Sequence, residues 1–184
     1  LRSLHTAGLG KGDVEIVHLQ HPDGRVALER GDVDAWSGLD PHLAASQLQA
    51  GSRLLYRNVE FNSYGVLNVS DRFLKEQPQL IGKVIAAYEE ARQWTLAHPQ
   101  QTAELLASEA KLPLEVAKLQ LSRTDFSNPQ PGAEHVAALK AAAPILLDEQ
   151  LVRPGTDVAQ VVDQLIQPQL AAQVIGSNVA KAGN

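Results

Sequence analysis

Apolar and polar positions change rhythm along this chain, from short mixed runs before residue 70 to a helical period after residue 78. Residues 1–9 read as the tail of an amphipathic helix, closed at Gly8 and Gly10, where a left-handed cap is cheap. Residues 14–19 are a short β-rich run containing Val14, Ile16, Val17 and Leu19. Pro22-Asp23 opens a helical stretch through Arg30 that Gly31 ends, and residues 33–37 are a second strand candidate. Asp40 at the N-cap and Pro41 at the first helical position start another helix, which Gly51 stops. Residues 53–56 are a third strand candidate. Strands separated by single helices of this length predict right-handed crossovers and a parallel sheet.

Residues 64–69 read as one more strand, and everything beyond them reads as helix. Ser70 caps a short turn. Pro78 opens a long helix to about Ala97, with Leu80, Ile81, Val84, Ile85, Tyr88, Ala91 and Trp94 on the 3.6 period. Further helices are predicted over 100–110, from Pro113, and over 133–152 with a kink at Pro144. Asp157 caps a helix over 158–166, Pro168 begins a last short one, and residues 126–132 form a proline-containing loop. The seam between a βαβ half and a helical half lies near residues 59–64, and functional surfaces favour such seams.

Composition narrows the function classes. Of 184 residues, 44% are apolar, so a core can be buried and overall disorder is excluded. The formal net charge of −5 and the lack of a dense basic run argue against a nucleic-acid partner. No stretch approaches the ~20 apolar residues of a membrane span. With no cysteine, thiol chemistry and disulfide staples are excluded. The chain begins at Leu1, without methionine or a signal peptide, and already reads as mid-helix; the expectation is that the true N-terminus lies upstream.

Catalytic and metal chemistry find no foothold. His18 and His21 are three apart, His42, His98 and His135 stand singly, and no His-Glu-x-x-His pattern occurs, so no metal site is expected. No Gly-x-Ser-x-Gly elbow is present; neither Ser37 nor Ser63 is paired with a base. Gly8, Gly10 and Gly12 follow a helix rather than open one, unlike a phosphate cradle. No cofactor is implied and an enzyme is not expected.

What remains is Trp36-Ser37-Gly38-Leu39-Asp40-Pro41. A tryptophan ending a short strand, before a loop into a capped helix, sits where open α/β sheets place ligands. The plainer reading of the same six residues, as a core tryptophan, a turn and a simple cap, outweighs this one on the residues alone. His21-Pro22-Asp23 also follows a strand and opens a helix, with Asp23 read as at least a cap.

The run Leu28-Glu29-Arg30-Gly31-Asp32-Val33-Asp34-Ala35-Trp36, followed by Asp40-Pro41, resembles the sulfonate-, taurine- and nitrate-type substrate-binding proteins of ABC importers. Ala7-Gly8-Leu9, His21-Pro22-Asp23-Gly24-Arg25, Asp71-Arg72-Phe73 with Gln77-Pro78, and Ala91 with Trp94 are similar to further landmarks of that family. The resemblance covers nearly the whole chain. Each motif is loose alone; order and spacing make the set specific.

The resemblance implies a type II periplasmic-binding fold, with two α/β lobes joined by crossing strands and its N-terminal part missing. Residues 1–58 would be the later part of the second lobe, 59–69 the hinge and crossing strand, and 70–184 the C-terminal helical part of the first lobe. It implies a periplasmic or lipid-anchored binding protein that delivers a small organic anion, a sulfonate above all, to a membrane permease. Trp36 would form an apolar wall and Ser37 would donate a hydroxyl. His21, Asp23 and Asp40 would border the cleft, the two aspartates shaping loops or meeting a cationic group. Ser63 and Tyr64, beside Asn62, would face the site from the other lobe, with Arg123 a counter-charge. A pyrimidine or thiamine-precursor binder and a ligand-sensing regulatory domain share this layout and stay open.

Overall fold

In the computed structural model the described residues are 1–61 and 64–182. Its elements are helices: α1 (Arg2–Thr6), α2 (His21–Arg30), α3 (His42–Ala50), α4 (Asp71–Glu76), α5 (Pro78–Ala97), α6 (Pro99–Glu109), α7 (Leu114–Leu121), α8 (Ala133–Asp148), α9 (Val158–Leu165) and α10 (Pro168–Ala182). Glycine and proline punctuation sets most of these limits. Gly31 (φ 79°) and Gly51 (φ 69°) end α2 and α3 in the left-handed region that a side chain would resist. Pro78, Pro99 and Pro168 begin α5, α6 and α10, where the missing N–H costs nothing. Ser70 accepts from the Phe73 N–H and Asp157 from the Gln160 N–H, so both act as caps. α8 stops at Asp148, short of the expected residue 152, and Gln150 turns left-handed just beyond it. α10 is longer than the short helix expected.

The predicted strands are corrected. Among the described residues, 14–19, 33–37, 53–56 and 64–69 form no β-ladder. Val14 has extended dihedrals (φ −139°, ψ 151°), yet a strand is a property of two segments, and among the described residues none of these runs pairs in a ladder. Both side-chain parities are apolar and exposed: Val14 and Ile16 on one, Val17 and Leu19 on the other. That pattern suits a strand covered on both faces rather than a half-solvated one.

The chain divides into two compact units. Unit 1 comprises Leu1–Arg57 and Ala97–Asp125; unit 2 comprises Asn58–Leu96 and Phe126–Asn184. The helices α6 and α7 thus group with the first 57 residues rather than with the remaining C-terminal helices. The cause is packing. In unit 1, Ala44 and Ala45 of α3 and Val116 of α7 form a buried cluster, flanked by Leu112 and Leu119. Small side chains on α3 allow the close approach that a larger residue would block. Arg25 on α2 also bonds Glu29 (2.6 Å) and Gln49 of α3 (2.9 Å), which ties α2 to α3. Val116→Ala, at a position 1% exposed, is expected to lower stability by about 2 kcal/mol through lost burial and a small cavity. Urea unfolding checks this, and a change near zero would mean the α3–α7 contact carries little stability.

In unit 2, α8 packs on α9 around Ala138, Val158 and Val162, and Lys140 meets Asp163 at 2.7 Å. Glu89 of α5 is 4% exposed. It receives Arg92 Nε and Nη2 (2.7 and 2.8 Å) and Gln93 Nε2 (2.8 Å), while Arg92 Nη1 donates to the Phe126 carbonyl (2.7 Å). One buried carboxylate therefore organises α5 against the loop that leads to α8.

Candidate functional site

The candidate residues of unit 1 collect around the first turn of α2 and the loop into α3. α2 begins at His21, with the extended Gln20 (ψ 158°) before it and Pro22 inside its first turn. Asp23 therefore is not the cap expected of it. It lies within the first turn, where its charge complements the helix dipole. Its side chain lines an open groove of about 370 Å³ between α2 and the extended run at Val17 and Leu19, together with Val26, Arg30 and Asp32. Trp36 is not part of that lining.

Trp36 lies instead against α2 at Gly24. A Cβ on Gly24 would come within 2.4 Å of the indole Nε1, and one on Gly38 within 2.5 Å of the far edge of the ring. The exposed His21 ring meets Trp36 edge-on, with centroids 6.4 Å apart and planes at 64°. The indole is half-buried and Ser37 is exposed beside it. That arrangement can hold an apolar group next to polar atoms; it contains no nucleophile paired with a base.

Asp40 does two jobs. Its Oδ1 accepts from the Ala44 N–H at 2.8 Å, so it caps α3 although the first helical residue is His42. The same carboxylate pairs with Arg123 Nη1 at 3.2 Å, with both side chains mostly buried. Arg123 Nη2 further donates to Gln47 Oε1, and the Arg123 carbonyl accepts from Arg57 (3.2 Å). The Arg123 charge is thus balanced by Asp40 and braces the end of α7 against α3. Nothing about an arginine after a helix reveals a carboxylate partner 83 positions away.

Tyr64 belongs to unit 2, where its ring packs tilted against His135, with centroids 4.2 Å apart and planes at 43°. His135 Nδ1 accepts from the Gly132 N–H at 2.9 Å and so closes the N-terminus of α8. Ser63 and Asn62 lie outside the described residues. The sequence reading places His21, Trp36 and Asp40 in one lobe and Arg123 in the other; in the structure His21 meets Trp36, while Arg123 lies in unit 1 with Asp40 and pairs with it. That reading missed Gly24, Gly38 and Gln47. From sequence Gly38 reads as part of a turn, and Gly24 lies inside the helix expected from Pro22 to Arg30. Among the described residues no group of histidines and carboxylates could hold a metal ion.

Comparison with known proteins adds an independent line. A family profile described as "NMT1/THI5 like" matches residues 1–102. An Escherichia coli (strain K12) protein named "Putative aliphatic sulfonates-binding protein" is 31% identical over 169 residues, covering 91% of this chain and 53% of that protein. A Bacillus subtilis (strain 168) protein of the same name is 27% identical over 153 residues, covering 82% and 46%. The chain spans about half the length of these curated relatives. Among solved structures, the crystal structure of the periplasmic aliphatic sulphonate binding protein SsuA from Escherichia coli matches with a TM-score of 0.73 at 29% identity, over 92% of this chain and 58% of that one. The helices described above therefore follow a periplasmic binding-protein fold, and the chain belongs to the NMT1/THI5-like family, with aliphatic sulfonate-binding proteins among its relatives.

Proposed function

We propose that this chain is part of the solute-binding component of an ABC importer, and that the whole protein captures a small organic anion, an aliphatic sulfonate, between two lobes. The observation that carries the reading is the 31% identity to a protein of that name across 91% of the chain. The half-buried indole beside an exposed serine agrees with it. In this reading Trp36 covers the alkyl tail and Ser37 donates a hydroxyl to a sulfonate oxygen. His21 closes the rim, while Asp23 places a negative charge at the mouth, away from the sulfonate. Asp40 shapes the loop, and Arg123 acts through Asp40 because its charge is already matched there. Ser63 and Tyr64 would contribute from the second lobe, with residues 59–69 as the hinge. Delivery would be to a membrane permease, from the periplasm or from a lipid-anchored position outside the cell membrane, with no chemical step on the solute. Among the described residues no helix is long and apolar enough to cross a membrane.

The test is a thermal-shift series on the full-length protein with alkanesulfonates, taurine, sulfate, nitrate and pyrimidines. A ligand at a hundredfold excess over its dissociation constant should stabilise the native state by about 2.7 kcal/mol. An alkanesulfonate is expected to give the largest shift. Trp36→Ala is expected to weaken the longest-tailed ligand by roughly 10- to 100-fold, the value of one buried apolar contact of about 1.5–3 kcal/mol. A shift with a pyrimidine and none with any sulfonate would replace the reading with that of a pyrimidine binder.

A further inference from the structure

The two glycines that touch Trp36 have no backbone reason to be glycine. Positive φ values among the glycines of the described residues fall at Gly8, Gly31, Gly51 and Gly155, and neither Gly24 nor Gly38 is among them. Gly24 sits inside α2 with its N–H bonded to the Gln20 carbonyl at 2.8 Å, an ordinary helical position. There glycine is the poorer choice, since alanine fixes less backbone entropy and favours the helix. What selects glycine is the indole. A Cβ at Gly24 would stand 2.4 Å from Nε1 and 2.7 Å from Cδ1, and one at Gly38 would stand 2.5 Å from both Cη2 and Cζ3. Real Cβ contacts of that length do not occur, and an indole ring cannot fold aside as a lysine tip can. One glycine clears the five-membered ring and the other clears the six-membered ring, so together they admit one orientation of the side chain. The His21 ring, edge-on to the indole, narrows the remaining freedom.

We propose that Gly24 and Gly38 are positioning residues that fix the orientation of Trp36 and thereby set which solute tails the site accepts. The proposal rests on the reading of Trp36 as the wall for the ligand tail. Adding a methyl at either position turns the indole out of its slot. The contact with the sulfonate head group, common to every member of the class, is left in place. The tail-dependent part of binding is what changes.

Two experiments on the full-length protein separate the parts. The first compares thermal midpoints of wild type, Gly24→Ala, Trp36→Ala and the double variant. Gly24→Ala is expected to lower the midpoint in the wild-type background and to raise it in the Trp36→Ala background, where the clash is gone and the helical preference of alanine remains. The same sign in both backgrounds would overturn the positioning role. The near-ultraviolet circular dichroism contributed by Trp36, taken as the difference between each protein and its Trp36→Phe counterpart, should change for Gly24→Ala and for Gly38→Ala; unchanged difference spectra would also overturn it.

The second experiment measures dissociation constants for straight-chain alkanesulfonates from one to eight carbons. Wild type should gain affinity with each added methylene. Gly24→Ala and Gly38→Ala should bind methanesulfonate within about twofold of wild type and lose most of the gain with length. An equal loss at every length would overturn the selectivity claim. If wild type binds no sulfonate at all, the proposed function and the selectivity claim fail together, while the four-protein comparison still decides whether the glycines orient Trp36.

Discussion

Glu89→Ala is expected to lower the unfolding free energy by about 3 kcal/mol, at the lower edge of what removing one partner of a buried ion pair costs. The carboxylate is almost fully buried, and its two oxygens receive three side-chain donors from Arg92 and Gln93. Alanine would strand a guanidinium that is 20% exposed and still tied to the Phe126 carbonyl. Glu89→Gln keeps one acceptor and the side-chain volume, so its cost should be smaller. The Arg92 hydrogen bonds hold the Glu89 carboxyl below the ordinary carboxylate range, against the opposing effect of burial. A lowered carboxyl pKa stabilises the folded state above the unfolded value of about 4.3, and that stabilisation fades as pH falls below it. The stability gap between wild type and Glu89→Gln should therefore be full at pH 6 and should shrink between about pH 4 and the lower folded-state value. Urea midpoints at several pH values measure it. A loss below about 1 kcal/mol, or a gap that widens in acid, would sink the account.

The second large effect is expected at Asp40. Asp40→Ala removes the acceptor for the Ala44 N–H and the counter-charge for Arg123 at once, for a combined loss of about 2–3 kcal/mol. Asp40→Asn separates the two, because asparagine caps helices well but carries no charge. It should recover about 1 kcal/mol of the loss. In a cycle with Arg123→Ala, the two alanine substitutions should be non-additive by about 1 kcal/mol, since each removes the same pair. Strict additivity would mean that Arg123 draws its stability from Gln47 and not from Asp40.

Helix limits were legible because they are written locally. Gly31, Gly51, Pro78, Pro99, Ser70 and Asp157 each stop or start a helix by its own backbone or side-chain chemistry, and each does so within a residue or two of its expected place. The strand expectations depended on a partner elsewhere. The apolar runs at Val14 to Leu19 and at Leu54 to Tyr56 record what such a segment would accept on its faces, not which backbone lies beside it. A chain spanning about half the length of its relatives need not contain both sides of a ladder. The Trp36 loop stood out because tryptophan is rare here and its position before Asp40-Pro41 resembles a known family. The reason for Gly24 could not be read, since a glycine in a first helical turn carries no mark of what lies against it. Neither Glu89 nor Arg92 stands out in the sequence; tertiary packing alone buries the Glu89 carboxylate.

Unit 1 is completed by two stretches of chain separated by the first part of unit 2. As the polypeptide emerges from the ribosome, Ala44 and Ala45 of α3 appear about 70 residues before Val116, the side chain that covers them. At 5–20 residues per second that interval is roughly 4–14 s, long compared with the microseconds in which a helix forms. The nascent α2–α3 pair must therefore wait with a bare face until α7 is synthesised.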